Sequence, residues 1–471
     1  GARRLRIYTL RDGTWEPSVD FTLTHAVTFV DVATIDGQDR IVSGEPGLLR
    51  WFDPSSALSH ELLVVSSSFV PPRRDEIPHV DVSHDLNGDG CDDIVVPDVD
   101  GFWISVQRGQ GKFSDPVKIG LETDLSRIYG ADGYRYDPWS ESRVFSMDYD
   151  QDGLADLVYW DGERFAVHLQ DVSRQFAGDP RRFPTDVQCE SHRPDRLTTG
   201  DMCCRVLHSI TDMNSDGVGD LVIYTLTGDR LSQKESAYEI HFGEPNPDGG
   251  TRFSREVGHR FRSAGRVHLG MRRYDFDHDG RTDVMLTTIP NRFLGNDLWK
   301  RIKGAMGDDV VLELEFYRMA DGMYPSTPNA TNVILLDGPP SLREPGGISL
   351  EIALRGATHE KRRTQKIWPR AFNTTLRIGD LDGDGHADFI KSDHPRKMNV
   401  HLGTPGPGLF AARPQSFDIS LPNDEEYTWL ADLNNDGKQD IVMHHPFTLR
   451  DIHGAPTQPP GTEPHRITLL I

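Results

Sequence analysis

The sequence predicts an all-β fold built from one unit that is repeated along the chain. Three observations predict it. Six nine-residue segments share the pattern Asp-x-(Asp or Asn)-x-Asp-Gly-x-x-Asp. Most of these segments follow one another at a spacing of roughly 60 residues, which is typical of a repeat architecture. Gly and Pro are plentiful, at 44 and 31 residues, as expected for many short strands joined by turns.

We call the six segments loops A to F in chain order. They are Asp85–Asp93, Asp148–Asp156, Asp212–Asp220, Asp275–Asp283, Asp380–Asp388 and Asp432–Asp440. Oxygen side chains at positions 1, 3, 5 and 9 can surround a hard cation such as Ca²⁺, and the Gly at position 6 permits the sharp turn. The pattern therefore predicts about six calcium sites.

The side-chain ligands predicted at positions 1, 3, 5 and 9 form six sets of four. They are Asp85, Asn87, Asp89 and Asp93; Asp148, Asp150, Asp152 and Asp156; Asp212, Asn214, Asp216 and Asp220; Asp275, Asp277, Asp279 and Asp283; Asp380, Asp382, Asp384 and Asp388; and Asp432, Asn434, Asp436 and Asp440.

The segments on either side of each loop are typical of β-strands. Arg143–Met147 precedes loop B, and Leu157–Trp160 follows it. A second pair with a tight turn comes next, as in Ala237–Phe242 and Thr251–Glu256 after loop C. Four strands per period, repeated radially, describe the blade of a β-propeller.

A damaged seventh copy precedes loop A. It keeps Thr34, Asp36 and Gly37, but Val32 stands at the first ligand position and Arg40 at the ninth. Arg40 can pair with Asp36 in place of a cation, so we expect this loop to be metal-free. Seven blades is the simplest count, and an eighth, degenerate blade around Val333–Leu354 is the alternative.

The two ends of the chain together have about the length of one repeat. We therefore expect residues 1–471 to form a single propeller domain whose last blade contains strands from both termini. Arg6–Thr9 or Trp15–Phe21 would then join Arg466–Ile471.

The EF-hand is the rival interpretation of these loops. It needs a bidentate Glu at position 12 and flanking helices. The residues at position 12 here lie in predicted strands and include Val96, Tyr159 and Lys391, so the EF-hand is excluded.

The loops resemble those of the FG-GAP or VCBS repeat family, the calcium-binding blades of the integrin α-subunit propeller and of many secreted proteins. The Phe-Gly part of the family signature is weak, at Phe242-Gly243 and, with Leu for Phe, at Leu402-Gly403. The resemblance implies that the main-chain carbonyl of position 7 is a further calcium ligand. The residues at position 7 are Cys91, Leu154, Val218, Arg281, His386 and Lys438.

The formal charge of −22 argues against a nucleic-acid partner, and no stretch approaches the 18 apolar residues of a membrane span. The chain opens Gly-Ala-Arg-Arg, so we expect a mature-type chain without its signal peptide.

Cys189 is close enough in sequence to pair with Cys203 or Cys204, unless these thiols are reduced and buried. A disulfide and millimolar calcium both indicate a secreted, periplasmic or cell-surface protein.

Five long insertions are predicted in the connections from second to third strand and from blade to blade. They are residues 120–142, 185–204, 289–308, 332–372 and 444–465. The first contains Tyr129, Tyr134, Tyr136 and Trp139, which suit contact with a sugar or a protein, or simply pack on the scaffold. Asn291–Met306 in the third can form a helix.

The sequence favours a calcium-stabilised recognition module that binds a glycan or a protein, with the insertions as the ligand face. No catalytic motif is present in the sequence, so no catalytic residue is assigned. One alternative is a polysaccharide lyase or hydrolase that uses Tyr134, Tyr136 or His444. Another is a subunit of a larger secreted or envelope assembly.

Overall fold

The computed structural model shows a chain built from antiparallel β-sheets. The residues described are 4–11, 14–56, 58–70, 77–120, 137–139, 142–187, 204–228, 233–247, 249–291, 310–336, 376–394, 397–419, 428–434, 436–445 and 466–470. Within these ranges there are 31 strands and no α-helix, which confirms the all-β class. The same ranges hold no helix with the length and apolar character of a membrane span.

The chain divides into two compact units. The first unit comprises Gly1–Thr185 and Pro245–Arg252, and the second comprises Asp186–Glu244 and Phe253–Ile471.

In the first unit, the strands form one hairpin and three four-stranded sheets. The strands are β1 (Arg4–Arg11), β2 (Thr14–Thr22), β3 (Phe29–Ile35), β4 (Gln38–Glu45), β5 (Leu48–Asp53), β6 (Leu58–Val64), β7 (Ser83–His84), β8 (Asp93–Asp98), β9 (Gly101–Ser105), β10 (Val117–Ile119), β11 (Val144–Met147), β12 (Asp156–Trp160), β13 (Phe165–His168) and β14 (Arg181–Phe183). β1 pairs with β2, and the sheets β3–β6, β7–β10 and β11–β14 each pair strand to next strand.

From Cys204 onward, the described strands form three four-stranded sheets, one three-stranded sheet and one short hairpin. The strands are β15 (Cys204–Thr211), β16 (Asp220–Thr227), β17 (Glu235–His241), β18 (Gly243–Pro245), β19 (Thr251–Phe253), β20 (His259–Arg262), β21 (Arg266–Tyr274), β22 (Asp283–Pro290), β23 (Val310–Tyr317), β24 (Ala330–Leu336), β25 (Leu376–Gly379), β26 (Asp388–His394), β27 (Lys397–His401), β28 (Gln415–Asp418), β29 (Thr428–Ala431), β30 (Asp440–His445) and β31 (Arg466–Leu470). The sheets are β15-β16-β17-β20, β21–β24, β25–β28 and β29–β31, and β18 pairs with β19 in a short hairpin.

The strand that follows each loop is the second of its sheet and is covered on both faces. Every residue of β8 and β12 is buried. Apolar side chains of β16 and β22 lie together in one core of the second unit: Val222, Tyr224 and Leu226, and Val284, Met285, Leu286 and Ile289. Burial on both faces explains why these strands are continuous apolar runs rather than alternating ones.

One predicted strand is wrong in the sheet that contains β15. Thr251–Glu256 was predicted as its fourth strand, but Thr251–Phe253 pairs with β18, and the fourth strand is β20. Each segment has a single Phe among polar residues, so the pattern alone does not distinguish them. At the region predicted as an alternative blade, Val333–Leu336 belongs to β24, the fourth strand of an existing sheet.

The damaged copy has become a plain β-hairpin. Ile35 pairs with Gln38, which leaves Asp36 and Gly37 as a two-residue turn with φ of 52° and 69°. The predicted Arg40–Asp36 ion pair is wrong: the Arg40 guanidinium lies 4.0 Å from the ring centroid of Trp51. Arg40 and Trp51 are diagonal neighbours on paired strands, and an aromatic face there attracts the cation.

β31 pairs with β30, and among the described strands β1 pairs with β2. Closure by both termini therefore stays a prediction. The predicted helix lies, apart from Asn291, outside the described residues, as do Cys189 and Cys203. Cys91 is a free thiol.

Candidate metal-binding loops

All six loops have the same place in their sheets. Each connects the first strand to the second, in the pairs β7/β8, β11/β12, β15/β16, β21/β22, β25/β26 and β29/β30. In an antiparallel sheet this connection lies at the same end as the turn between strands three and four. The described strands that flank the five predicted insertions are the second and third strands of one sheet, or the last strand of one sheet and the first strand of the next. The predicted bounds are partly wrong, because residues 289–290, 332–336 and 444–445 belong to β22, β24 and β30.

The Asp at position 1 organises the loop through backbone amides. In loop B, the Asp152 amide donates to Asp148 Oδ1 (3.1 Å) and the Gly153 amide to Oδ2 (2.9 Å). Loops A, C, D and F repeat both bonds at 2.8–3.2 Å. In loop E the position-4 amide, from Gly383, replaces the position-5 amide at Oδ1 (2.7 Å).

Two left-handed residues produce the tight curvature. The position-6 glycines have φ between 80° and 88°: Gly90, Gly153, Gly217, Gly280, Gly385 and Gly437. Position 4 is also left-handed wherever it is described: Gly88, Gln151, Ser215, His278 and Gly383. At position 4, φ of 52–61° lies in the left-handed region that other residues can adopt, as Gln151, Ser215 and His278 do. The larger φ at position 6 lies outside that region, which explains why position 6 is always Gly.

The Asp at position 5 caps the second half of the loop. Its Oδ1 accepts the position-7 amide at 2.8–3.0 Å in all six loops. In two loops with Asn at position 3, the Asn amide group also donates to this Asp, as from Asn214 to Asp216 Oδ2 (2.9 Å) and from Asn434 to Asp436 Oδ2 (3.2 Å). Asn in place of Asp at position 3 thus keeps an oxygen in the loop, removes one negative charge and donates a hydrogen bond to the position-5 carboxylate.

The Asp at position 9 anchors the loop to its sheet. Its Oδ2 accepts the position-2 amide at 2.7–3.1 Å in every loop. In loops A to E its Oδ1 accepts an amide just after the third strand at 2.7–2.8 Å. The donors of that second bond are Gln107, Gln170, Gly243, Met319 and Gly403.

These third-strand amides were not predicted from the sequence, although the weak Phe-Gly signature marks two of them. A Cβ at Gly243 would lie 2.2 Å from the carbonyl oxygen of Gly219 in loop C, and one at Gly403 would lie 2.7 Å from His386 Cβ in loop E. Glycine is therefore required where the third strand approaches the loop this closely. At Gln107, Gln170 and Met319 no sequence signal is visible.

Burial destabilises the ionised form of the position-9 carboxylates and so raises their pKa. Desolvation raises the pKa of Asp93 and Asp220 to about 7, and that of Asp156 and Asp283 to about 6. The pKa of Asp388 is raised by the same cause. Neighbouring loop carboxylates add to the upward shift. A cation would relieve both the desolvation and the repulsion.

Carboxylate oxygens converge in the three loops that have Asp at position 3. One oxygen from each residue lies within 4.8 Å of the others in Asp148, Asp150 and Asp156; in Asp275, Asp277 and Asp279; and in Asp380, Asp382 and Asp388. These acidic groups can hold a metal ion. All-oxygen donor sets suit hard cations such as Ca²⁺ rather than thiolate-preferring or imidazole-preferring metals.

Loop D carries an internal counter-charge. Arg318 Nη1 lies 3.1 Å from Asp277 Oδ2, and Arg281 Nε lies 3.9 Å from Asp279 Oδ2. Asp277 Oδ1 is buried and accepts no hydrogen bond. Arg318 thus occupies one carboxylate oxygen that a bound ion would use.

Of the aromatic residues predicted for a ligand face, only Trp139 falls within the described part of the chain. It is partly buried and packs edge-on against Phe102, with ring centroids 5.1 Å apart. Tyr129, Tyr134 and Tyr136 lie outside the described residues, as does the side chain of His444.

No protein-family model matches the chain, and no curated protein sequence matches it significantly. Among solved structures, it is similar to an Agrocybe aegerita lectin that recognises non-reducing terminal N-acetylglucosamine, with 14% identity and a TM-score of 0.37 over 88% of this chain and 80% of that chain. A Bacillus licheniformis rhamnogalacturonan lyase is similar with 11% sequence identity and a TM-score of 0.27, over 77% of this chain and 59% of the lyase. Kuenenia stuttgartiensis hydrazine synthase is similar with 10% sequence identity and a TM-score of 0.29, over 81% of this chain and 78% of that chain. These scores are too low to carry an argument about function.

Proposed function

We propose that this protein is a calcium-stabilised recognition module that works outside the cytoplasm. In this proposal the sheets are seven blades of a β-propeller of the FG-GAP or VCBS kind. Loops A to F bind Ca²⁺, and the ligand is a glycan or a protein. The observation that carries the proposal is the common geometry of the six loops, in which amides orient the carboxylates at positions 1, 5 and 9.

The role proposed for calcium is structural. The position-9 carboxylates are bonded to their own sheets and buried, so an ion at this place connects the first three strands of a blade. Hydrogen bonds also link adjacent loops in the second unit: the Ala387 amide donates to the Phe276 carbonyl (2.7 Å), and the Gln439 amide to the Asp380 carbonyl (2.8 Å). Calcium bound in one loop would therefore also stabilise its neighbour.

The ligand face is proposed at the ends of the sheets opposite the loops. The insertions there are the longest connections, and long connections on a rigid scaffold are where recognition usually resides. Short, internally bonded loops leave little adaptable surface at the calcium end.

A glycan array and a pull-down, both with calcium-loaded protein, test this assignment. We expect saturable binding of one ligand class that is lost when residues 121–136 are replaced by a short Gly-Ser linker. Melting of that variant must remain calcium-dependent, as evidence that the scaffold is intact. If the folded variant still binds the ligand, a binding role for this insertion is contradicted. If the protein releases unsaturated sugar ends from a bound polysaccharide, the proposal of a non-catalytic module is contradicted.

A further inference from the structure

A second group of possible metal ligands lies outside the Asp-rich loops, in the first unit. Asp81 precedes β7, His84 ends β7, and Asp137 comes from the insertion between β10 and β11. One donor atom from each lies within 4.8 Å of the other two. None of the three belongs to the oxygen set of loop A, although His84 immediately precedes it.

The distances distinguish this group from an ordinary hydrogen-bonded pair. His84 Nε2 lies 3.6 Å from Asp81 Oδ1 and 3.4 Å from Asp137 Oδ1. Both exceed the 2.7–3.2 Å of an N–H···O hydrogen bond. By contrast, donors that share a tetrahedral ion at bond lengths of about 2.0–2.1 Å lie roughly 3.3–3.4 Å apart.

Another histidine of the same unit shows the difference. His79 Nε2 lies 2.9 Å from Asp31 Oδ1 and makes a normal hydrogen bond, with one carboxylate only. His84 instead lies between two carboxylates at separations that fit coordination to a common ion.

The three donors are largely shielded from solvent. The side chains of Asp81 and Asp137 are 6% and 7% exposed, and that of His84 is 17% exposed. A divalent ion shared by the three donors would offset the charge of the two carboxylates. The Trp139 ring packs on Phe102, and its centroid lies 6.4 Å from that of the His84 ring.

We propose that Asp81, His84 and Asp137 form a binding site for a divalent first-row transition metal, with Zn²⁺ as the preferred ion. Imidazole is a donor that zinc accepts readily and calcium does not, so the site would differ in selectivity from loops A to F. The site would tie the 120–142 insertion to the first strand of its sheet. The proposal does not depend on the function of the loops.

The test is zinc binding by the full chain in millimolar calcium, which keeps loops A to F out of the competition. Metal content after dialysis should give about one zinc per chain. Co²⁺ added in its place should give the visible absorption of a low-symmetry, four- or five-coordinate site with nitrogen ligation. The variants are His84→Ala and Asp137→Asn, and the matched control is His79→Ala.

We expect wild type and His79→Ala to bind zinc equally, and His84→Ala and Asp137→Asn to bind it at least tenfold more weakly. A cooperative melting transition of each variant shows that it has folded. A zinc-induced rise in the melting temperature of wild type tests the site without any substitution. The proposal is overturned if wild type in calcium retains no zinc and does not melt higher with it. It is equally overturned if folded His84→Ala and Asp137→Asn bind zinc like wild type, as expected of a His⁺–carboxylate ion pair.

Discussion

The substitution Asp156→Asn in loop B separates the proposed calcium role of a position-9 carboxylate from its structural role. Asp156 is fully buried and accepts the Tyr149 amide (2.9 Å) and the Gln170 amide (2.7 Å). Asn keeps the shape but can accept only one of these bonds and carries no charge. Its effect must therefore differ with and without calcium.

In a chelator, two effects of Asp156→Asn oppose each other. Loss of one acceptor for a buried amide costs about 1–3 kcal/mol. Burial raises the pKa of Asp156 from 3.8 to about 6, so the ionised carboxylate at pH 8 disfavours folding by about 3 kcal/mol, and Asn removes that cost. We expect the metal-free variant to be as stable as wild type to within about 2 kcal/mol.

In calcium, wild type gains RT ln(1 + [Ca²⁺]/Kd) per site, about 2.7 kcal/mol at a hundred times Kd. The variant should lose this gain at loop B alone. The measurement is denaturant unfolding in millimolar calcium and in chelator, with the number of bound ions from calorimetric titration. We expect one ion fewer and a calcium-dependent stabilisation that is smaller by about 2.7 kcal/mol.

The matched control is Asp161→Asn in the turn after β12. Asp161 Oδ1 also accepts two amides, from Glu163 (3.0 Å) and Arg164 (2.9 Å), and Oδ2 pairs with Arg182 (3.1 Å), but the residue lies outside the loop. It should change stability equally in calcium and in chelator. If Asp156→Asn leaves the calcium gain unchanged, or if Asp161→Asn reduces it as much, the assignment of loop B is refuted.

Three further predictions concern the loops. Burial raises the folded-state pKa of Asp93 and Asp220 to about 7, so metal-free protein should gain stability as pH falls from 8 toward 4. Calcium affinity, measured by calorimetric titration, should be about tenfold or more lower at pH 5.5 than at pH 8. A calcium affinity that does not change with pH would be evidence against coordination by these groups. Arg318→Gln frees an oxygen of Asp277, so a calcium titration should show tighter binding at loop D, and unchanged binding would mean that Arg318 does not compete. Gly153→Ala meets open space but sits at a φ of 88°, so calorimetry should show a loss of about 1–2 kcal/mol from backbone strain, and an unaffected melting temperature would contradict the left-handed geometry.

The loops and their flanking strands were predictable because their information is local. Nine consecutive residues define the carboxylate pattern, and the apolar run after each, such as Ile94–Pro97, becomes a strand buried on both faces. The turn at Asp36-Gly37 is also local, but the place of Arg40 is not. Its contact with Trp51 depends on the register between β4 and β5.

The remaining parts of the sites depend on distant residues. The amide of Met319 reaches Asp283 from 36 residues away, and an amide leaves no mark on the sequence unless close approach demands Gly, as at Gly243. Asp137 lies 3.4 Å from His84 although 53 positions separate the two residues in the sequence. The same limitation applies to Thr251–Glu256, since strand pairing and not alternation decides which of two similar segments joins a sheet.

The central claim is that loops A to F are structural calcium sites. Its most direct test is the calcium content of the native chain by mass spectrometry, together with its melting temperature before and after chelation. The account predicts about six calcium ions per chain and a large fall in melting temperature when they are removed. A chain that binds no calcium, or that melts at the same temperature in chelator, would contradict it.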